Sequence, residues 1–135
     1  MFVDSGVWIA FFSIRDGRHA DADALIRAAA AHRLVMMTTN LVLAEVHRWL
    51  LFHAGIQPAG AALAAVDATS LLCIEWTTAE HHSAARDWLA RLPDQRITYT
   101  DAVSFAVMAA QGCRAVMSFD RDFAVAGFTP WWPPR

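Results

Sequence analysis

Five carboxylates stand where a short apolar run breaks or where a helix opens: Asp4 after MFV, Glu45 in NLVLAEV, Asp101 in TYTDAVSF, and Asp120 with Asp122 in SFDRDF. No lysine can neutralise them, because all eleven basic residues of the chain are arginine. A cluster of like charges repels itself unless it is protonated or balanced by cations. Ligands offering only oxygen, with no cysteine or histidine at matching spacing, suit hard ions such as Mg²⁺ or Mn²⁺. Two such ions about 3.5–4 Å apart would hold a phosphodiester, activate water and stabilise the leaving oxygen. That chemistry requires Asp4, Glu45, Asp101 and Asp120 to meet, so the elements that carry them decide the matter.

The sequence alternates between short apolar runs and helical patterns. MFVD, LVMMTT, LLCIEW and AVMSF read as strands, and GFT as a short edge strand. SGVWIAFF, HADADALIRAAAAHR, NLVLAEVHRWLLFHAG, IQPAGAALAAVDAT, TAEHHSAARDWLARL and YTDAVSFAVMAAQG read as helices. Asp21 and Asp23 favour the start of the second of these helices. Asn40 is expected to begin the third and Gly55 to stop it, and Pro58 is tolerated in the first turn of the fourth. Strands that are continuously apolar, rather than alternating, belong to a parallel sheet covered on both faces. The expected fold is therefore α/β: a three-layer α/β/α sandwich with a central, mainly parallel sheet of four to five strands.

In such folds ligands bind outside the carboxyl ends of the strands. Asp4 ends the first strand and Asp120 the last long one, while Asp101 and Glu45 lie early in helices that begin at the same edge. Glu45 is the sharpest case. On a helical wheel it falls between Phe52 and Trp49, inside an apolar arc with Leu41, Val42 and Val46. A carboxylate aimed at a core needs a partner, and the plain alternative is an ion pair with Arg48. Asp101 alone would be explained by favourable charge at a helix N-terminus, and Asp4 or Asp120 alone by a turn or cap. Four together at one edge are harder to explain that way. Asp122 ranks second, either reaching a second ion through water or complementing a short helix.

The remaining composition narrows the field. In 135 residues, 56% are hydrophobic and 18% charged, which describes one core-forming globular domain, residues 1–135, rather than a disordered chain. A net charge of −2 argues against coating nucleic acid by bulk charge. Arg15, Arg18, Arg48, Arg96 and Arg121 could still line a basic rim. Cys73 and Cys113 are too isolated for a zinc site or disulfide framework, and Cys73 is expected to be a small buried hydrophobe. His81 and His82 start a helix at the surface, and His19 and His47 are structural neighbours of the rim. Trp8, Trp49, Trp76 and Trp88 are assigned to core or interface, and Trp131 and Trp132 to local packing or a partner surface. No signal peptide precedes the first strand and no apolar stretch approaches membrane-spanning length, so the expected setting is cytoplasmic, without a membrane.

The order of Asp4 in MFVDSGVWIAFF, Glu45 in TTNLVLAEV, Asp101 in ITYTDAVSFAVM and Asp120 in VMSFDRDF resembles the PIN-domain family. Within it the chain is most similar to the VapC-type toxins of bacterial toxin–antitoxin pairs, from Met1 to about Phe128. The resemblance implies a metal-dependent endoribonuclease, cleaving RNA with metal-activated water, inhibited by a small cognate antitoxin, and forming a homodimer. It carries catalytic and metal-binding roles to Asp4, Glu45, Asp101 and Asp120, with one or two Mg²⁺ or Mn²⁺ ions per site. It also marks Ser5 and Ser118 as orienting hydroxyls. Gly6 departs from the polar residue common there, and the proline-rich tail Thr129–Arg135 is an unfamiliar ending for the family. Receiver domains and dehalogenase-type phosphatases share the strand-end aspartates but depend on a lysine, which is absent. A PIN-like nuclease acting on DNA or structured nucleic acid, or a catalytically silent binding module, are the alternatives.

Overall fold

The computed structural model describes residues 1–134. Strands β1 (Phe2–Val3), β2 (Met36–Thr39), β3 (Leu72–Glu75), β4 (Ala115–Met117) and β5 (Thr129–Pro130) form one sheet in the order β3-β2-β1-β4-β5. Every neighbouring pair is parallel. Helices α1 (Ser5–Phe12) and α2 (His19–Ala31) connect β1 to β2, and α3 (Asn40–His53) and α4 (Ile56–Asp67) connect β2 to β3. The return to β4 runs through α5 (Ala79–Arg91) and α6 (Tyr99–Ala110), and α7 (Asp122–Val125) leads to β5.

Two crossovers step outward from β1 to β3, and the third steps back over to β4. Right-handed crossovers travelling in opposite directions lay their helices on opposite faces of the sheet. The packing agrees: α1 contacts α2 and α3, α3 contacts α4, and α5 pairs with α6. The expected three-layer sandwich is thus present, and the direction of travel reverses at the boundary between β1 and β4. A crevice at the carboxyl ends of those two strands is where such a sheet binds ligands.

The core explains why that crevice is rigid. Phe2, Val3, Val116 and Met117 of the two central strands are fully buried, and so is the run from Ala102 to Met108 along α6. Phe105 meets Phe123 edge to face at 5.0 Å and packs on Trp88 and Phe128 at 5.4 and 5.6 Å. Aromatic pairs in this geometry add about 0.5–1.5 kcal/mol to their area burial.

Several expectations shift at the periphery. Cys73 is exposed and Trp76 is 68% exposed, because β3 is an edge strand and its apolar run is only half covered. Phe52 is 70% exposed, so the apolar arc of α3 is buried at Val42, Val46 and Leu50 but open at its C-terminal end. The cap of α3 is Thr39, whose hydroxyl accepts from the Val42 amide at 3.1 Å. Asn40 instead reaches across the sheet end to accept from the Thr77 amide and hydroxyl, both at 2.9 Å. Gly55 adopts φ 106 between α3 and α4, a left-handed conformation that a side chain would strain. The expected edge strand at GFT is β5. Trp131 follows it, half-buried, with its amide on the Val116 carbonyl, while Trp132 is 53% exposed and Arg135 lies outside the described residues. Among the described residues no helix is long and apolar enough to cross a membrane.

Candidate active site

Asp4 leaves β1 directly into α1. Its amide donates to the Met117 carbonyl of β4 at 3.0 Å, which ties the ends of the two switch-point strands together. Asp4 then caps α1, with Oδ1 accepting from the Ser5 amide at 2.8 Å. Oδ2 accepts from the Ser118 hydroxyl at 2.9 Å, and Ser118 Oγ itself accepts from the Asp120 amide at 3.0 Å. One hydroxyl therefore connects the first and last acidic positions. The Ser5 hydroxyl lies 3.5 Å from Asp4 Oδ1, at the outer limit of a hydrogen bond, so at Ser5 the backbone does the orienting.

Asp101 stands in the first turn of α6, where its amide donates to the hydroxyl of Thr98, the cap residue, at 3.1 Å. Glu45 is half-buried on α3. Arg48 is turned toward the Phe52 ring at 5.0 Å, and the ion pairs among the described residues, Arg18–Asp21 and Arg27–Asp23, leave Glu45 without one. The Glu45–Arg48 alternative is thereby set aside. Asp120 accepts from the Asp122 amide at 2.9 Å, an aspartate turn that starts α7.

These elements enclose a cleft of about 750 Å³ lined by Asp4, Glu45, Asp101, Asp120 and Asp122 together. Oxygens of Asp101, Asp120 and Asp122 lie within 4.8 Å of one another, so Asp122 joins the group that the sequence ranked it behind. Asp4 is 5% exposed. Burial, then the charge of Asp101, pushes its carboxyl up to about 7, against the lowering effect of the Ser118 and Ser5 hydrogen bonds. Asp101 is also raised, first by burial and then by Asp120 and Glu45, with Thr98 pulling the other way. Asp122 is raised by desolvation and by Asp120.

Burial first, and repulsion second, disfavour the charged forms of these carboxyls, and a bound cation would offset both. The donor set is entirely oxygen, and each Asp4 oxygen has one lone pair free after its hydrogen bond. The residues therefore fit a hard divalent ion. Replacing Ser118 by alanine is expected to slow cleavage about 10- to 100-fold, the usual cost of losing a partner that orients a metal ligand. Initial rates at saturating Mg²⁺ check this, and an unchanged rate would show that Asp4 is positioned without Ser118.

The sequence missed Thr98 and Gln95, both of which line the cleft. The capping pattern T-x-x-D in TYTD was the available signal for Thr98. Of the five arginines considered, Arg121 lines the cleft and Arg18 lies 3.9 Å over the ring of Phe119, another wall residue. Arg15 and Arg48 line grooves elsewhere. His19 is held by the Ala10 carbonyl at 2.8 Å, His81 belongs to the capping box of α5, and His47 lines a separate groove beside Trp76.

Comparison with known proteins follows the same lines. The PIN domain model matches residues 1–129. The chain is 37% identical over 128 residues to the 23S rRNA-specific endonuclease VapC20 of Mycobacterium tuberculosis, covering 95% of each. It is 34% identical over 126 residues to Ribonuclease VapC13 of the same organism, covering 91% of this chain and 92% of that one. The crystal structure of Mycobacterium tuberculosis VapC20, described as a sarcin-ricin loop cleaving toxin, superposes with a TM-score of 0.84 at 36% identity, covering 95% of both chains. With its acidic cleft at the strand ends and a domain match over nearly its full length, the chain belongs to the PIN-domain family.

Proposed function

We propose that this protein is a VapC-like toxin endoribonuclease that hydrolyses RNA phosphodiester bonds in the acidic cleft. The observation that carries the proposal is the convergence of Asp4, Glu45, Asp101, Asp120 and Asp122 on one cleft at the β1/β4 switch point. Asp4, Glu45, Asp101 and Asp120 are the residues that would hold one or two Mg²⁺ or Mn²⁺ ions, with Asp122 supporting Asp120. Bound there, a divalent ion polarises the phosphate and lowers the pKa of water.

The protein's own part is to orient and to exclude. The Ser5 amide and the Ser118 hydroxyl fix the two oxygens of Asp4, and Thr98 fixes the start of α6 beneath Asp101. Phe119 and Val125 add apolar lining, and Arg121 is the cation among the lining residues. The lining contains no cysteine, lysine or histidine, so no imidazole or amine stands among the described lining residues to activate the Ser5 or Thr98 hydroxyl as a nucleophile. In the metal-free cleft Asp4 keeps its proton up to about pH 7, which limits the charge the cleft must bear.

The similarity to VapC20 makes 23S rRNA the substrate to test first. Membership of the toxin group further supports a small cognate antitoxin as inhibitor, a homodimer and a cytoplasmic setting. Exposed Trp76 and Trp132 offer apolar surface for such contacts. Purified protein and Mg²⁺ are to be incubated with ribosomes, and new RNA 5′ ends mapped for wild type and Asp101→Asn, with single-stranded DNA as a parallel substrate. Wild type is expected to give a discrete new end that the variant lacks. Identical ends from both proteins, or cleavage of DNA alone, would overturn the reading.

A further inference from the structure

Beside the acidic cleft, α3 carries a second stripe of chemistry. Glu45, Arg48, Trp49, Phe52 and His53 are spaced i, i+3, i+4, i+7 and i+8, which brings them to one side of the helix. With Ile9 of α1 they line a groove of about 390 Å³. Glu45 lines both this groove and the acidic cleft, so the two adjoin at that side chain.

The rings are arranged in a particular way. Trp49 and His53 stack at 4.1 Å with an interplanar angle of 7°, and the His53 Nδ1 is held on the Trp49 carbonyl at 2.8 Å. Phe52 is 70% exposed, with the Arg48 guanidinium 5.0 Å from its ring centre. Neither Arg48 nor His53 takes part in an ion pair among the described residues. Ile9 is the lone aliphatic side chain in the lining. Aromatic faces interleaved with cations are what binds single-stranded nucleic acid, the rings stacking on bases and the cations meeting phosphates.

We propose that this groove is a base-stacking subsite for an unpaired nucleotide flanking the scissile phosphate. Phe52 and the Trp49–His53 pair supply the stacking faces, and Arg48 contacts the adjoining phosphate. Phe52 lies about 10 Å along α3 from Glu45, at 1.5 Å per residue, so the nucleotide it holds is a neighbour of the one being cut. The proposal rests on the ribonuclease reading above and adds to it a determinant of where the strand is held.

The test uses RNA substrates with a single abasic nucleotide placed in turn at each position flanking the mapped cut. Cleavage kinetics are measured for wild type, Phe52→Ala, Phe52→Leu and Phe52→Trp, whose folding is checked by circular dichroism. For wild type, removing one particular flanking base is expected to raise KM about fivefold or more, within the range for loss of one base–aromatic stack. Phe52→Ala and Phe52→Leu are expected to raise KM on intact RNA by a similar factor and to lose the abasic effect, with kcat unchanged. Phe52→Trp is expected to retain both. If wild type cleaves RNA but Phe52→Ala keeps its KM and its abasic sensitivity, the subsite is refuted while the ribonuclease reading stands. If Phe52→Ala keeps its KM and turns a dimer into a monomer on size-exclusion chromatography, the face belongs to a second copy and the proposal falls. If wild type cleaves no RNA, both fall.

Discussion

Asp4→Asn is expected to abolish RNA cleavage and, at the same time, to stabilise the metal-free protein above neutral pH. Loss of a hydrogen-bond partner of a metal ligand already costs about 10- to 100-fold, and loss of the ligand's own charge costs more. The stability effect comes from the same burial. Asp4 is raised from 3.8 to about 7, chiefly by desolvation and then by Asp101. The folded state thus binds this proton more tightly than the unfolded chain does. The resulting contribution is complete below about pH 3.8 and is lost as pH rises to about 7, a span worth roughly 4 kcal/mol. Asp101 is displaced in the same direction.

Metal-free wild type should therefore melt lower at pH 8 than at pH 6, and Asp4→Asn should flatten that slope. The carboxamide oxygen of the substituted side chain keeps an acceptor for the Ser5 amide, so the variant is expected to fold. Mg²⁺ or Mn²⁺ should raise the wild-type Tm more at pH 8 than at pH 6, because binding there relieves the repulsion. Thermal melts at both pH values, with and without the ion, provide the measurement. Equal slopes for wild type and variant would show that Asp4 is not the strained group.

Phe105→Ala is expected to cost about 3–5 kcal/mol, which lowers Tm by about 10–20 °C. Phe105 is fully buried and touches Phe123, Trp88 and Phe128. Its removal opens a cavity at the joint of α5, α6, α7 and the chain leading to β5. The consequence for function is indirect but specific: Asp101 stands four residues earlier on α6, and Asp122 begins the helix that carries Phe123. Urea unfolding measures the stability loss. Phe105→Leu, which keeps most of the volume, should lose less than half as much as alanine if packing is the cause.

The legibility of this site in sequence has a physical pattern. Asp4, Asp101 and Asp120 could be read because a strand end or helix start fixes their edge of the sheet whatever the neighbours are. Glu45 was found by its anomaly inside an apolar arc, although that arc proved incompletely covered: Phe52 is open and Arg48 turns to it. Cys73 was misjudged as buried, and the sequence left Trp76 between core and interface, because an apolar run does not reveal whether its strand lies at the centre or edge of the sheet. Strand order is set by crossovers, not by local composition. Thr98 was missed because its role comes through a backbone amide. The relay from Asp4 to Asp120 passes through Ser118, which lies 114 positions from Asp4, so only the adjacency of β1 and β4 makes it visible.

The carboxylates gathered at the β1/β4 switch point are expected to perform metal-dependent RNA hydrolysis. Single-turnover cleavage of a 23S rRNA fragment by purified wild type and Asp4→Asn, titrated with Mg²⁺, tests it most directly. The wild-type rate is expected to rise from background to a plateau as Mg²⁺ is added, and the Asp4→Asn rate to remain at background throughout. Cleavage by wild type that persists in excess chelator, or an Asp4→Asn plateau equal to that of wild type, would contradict the claim.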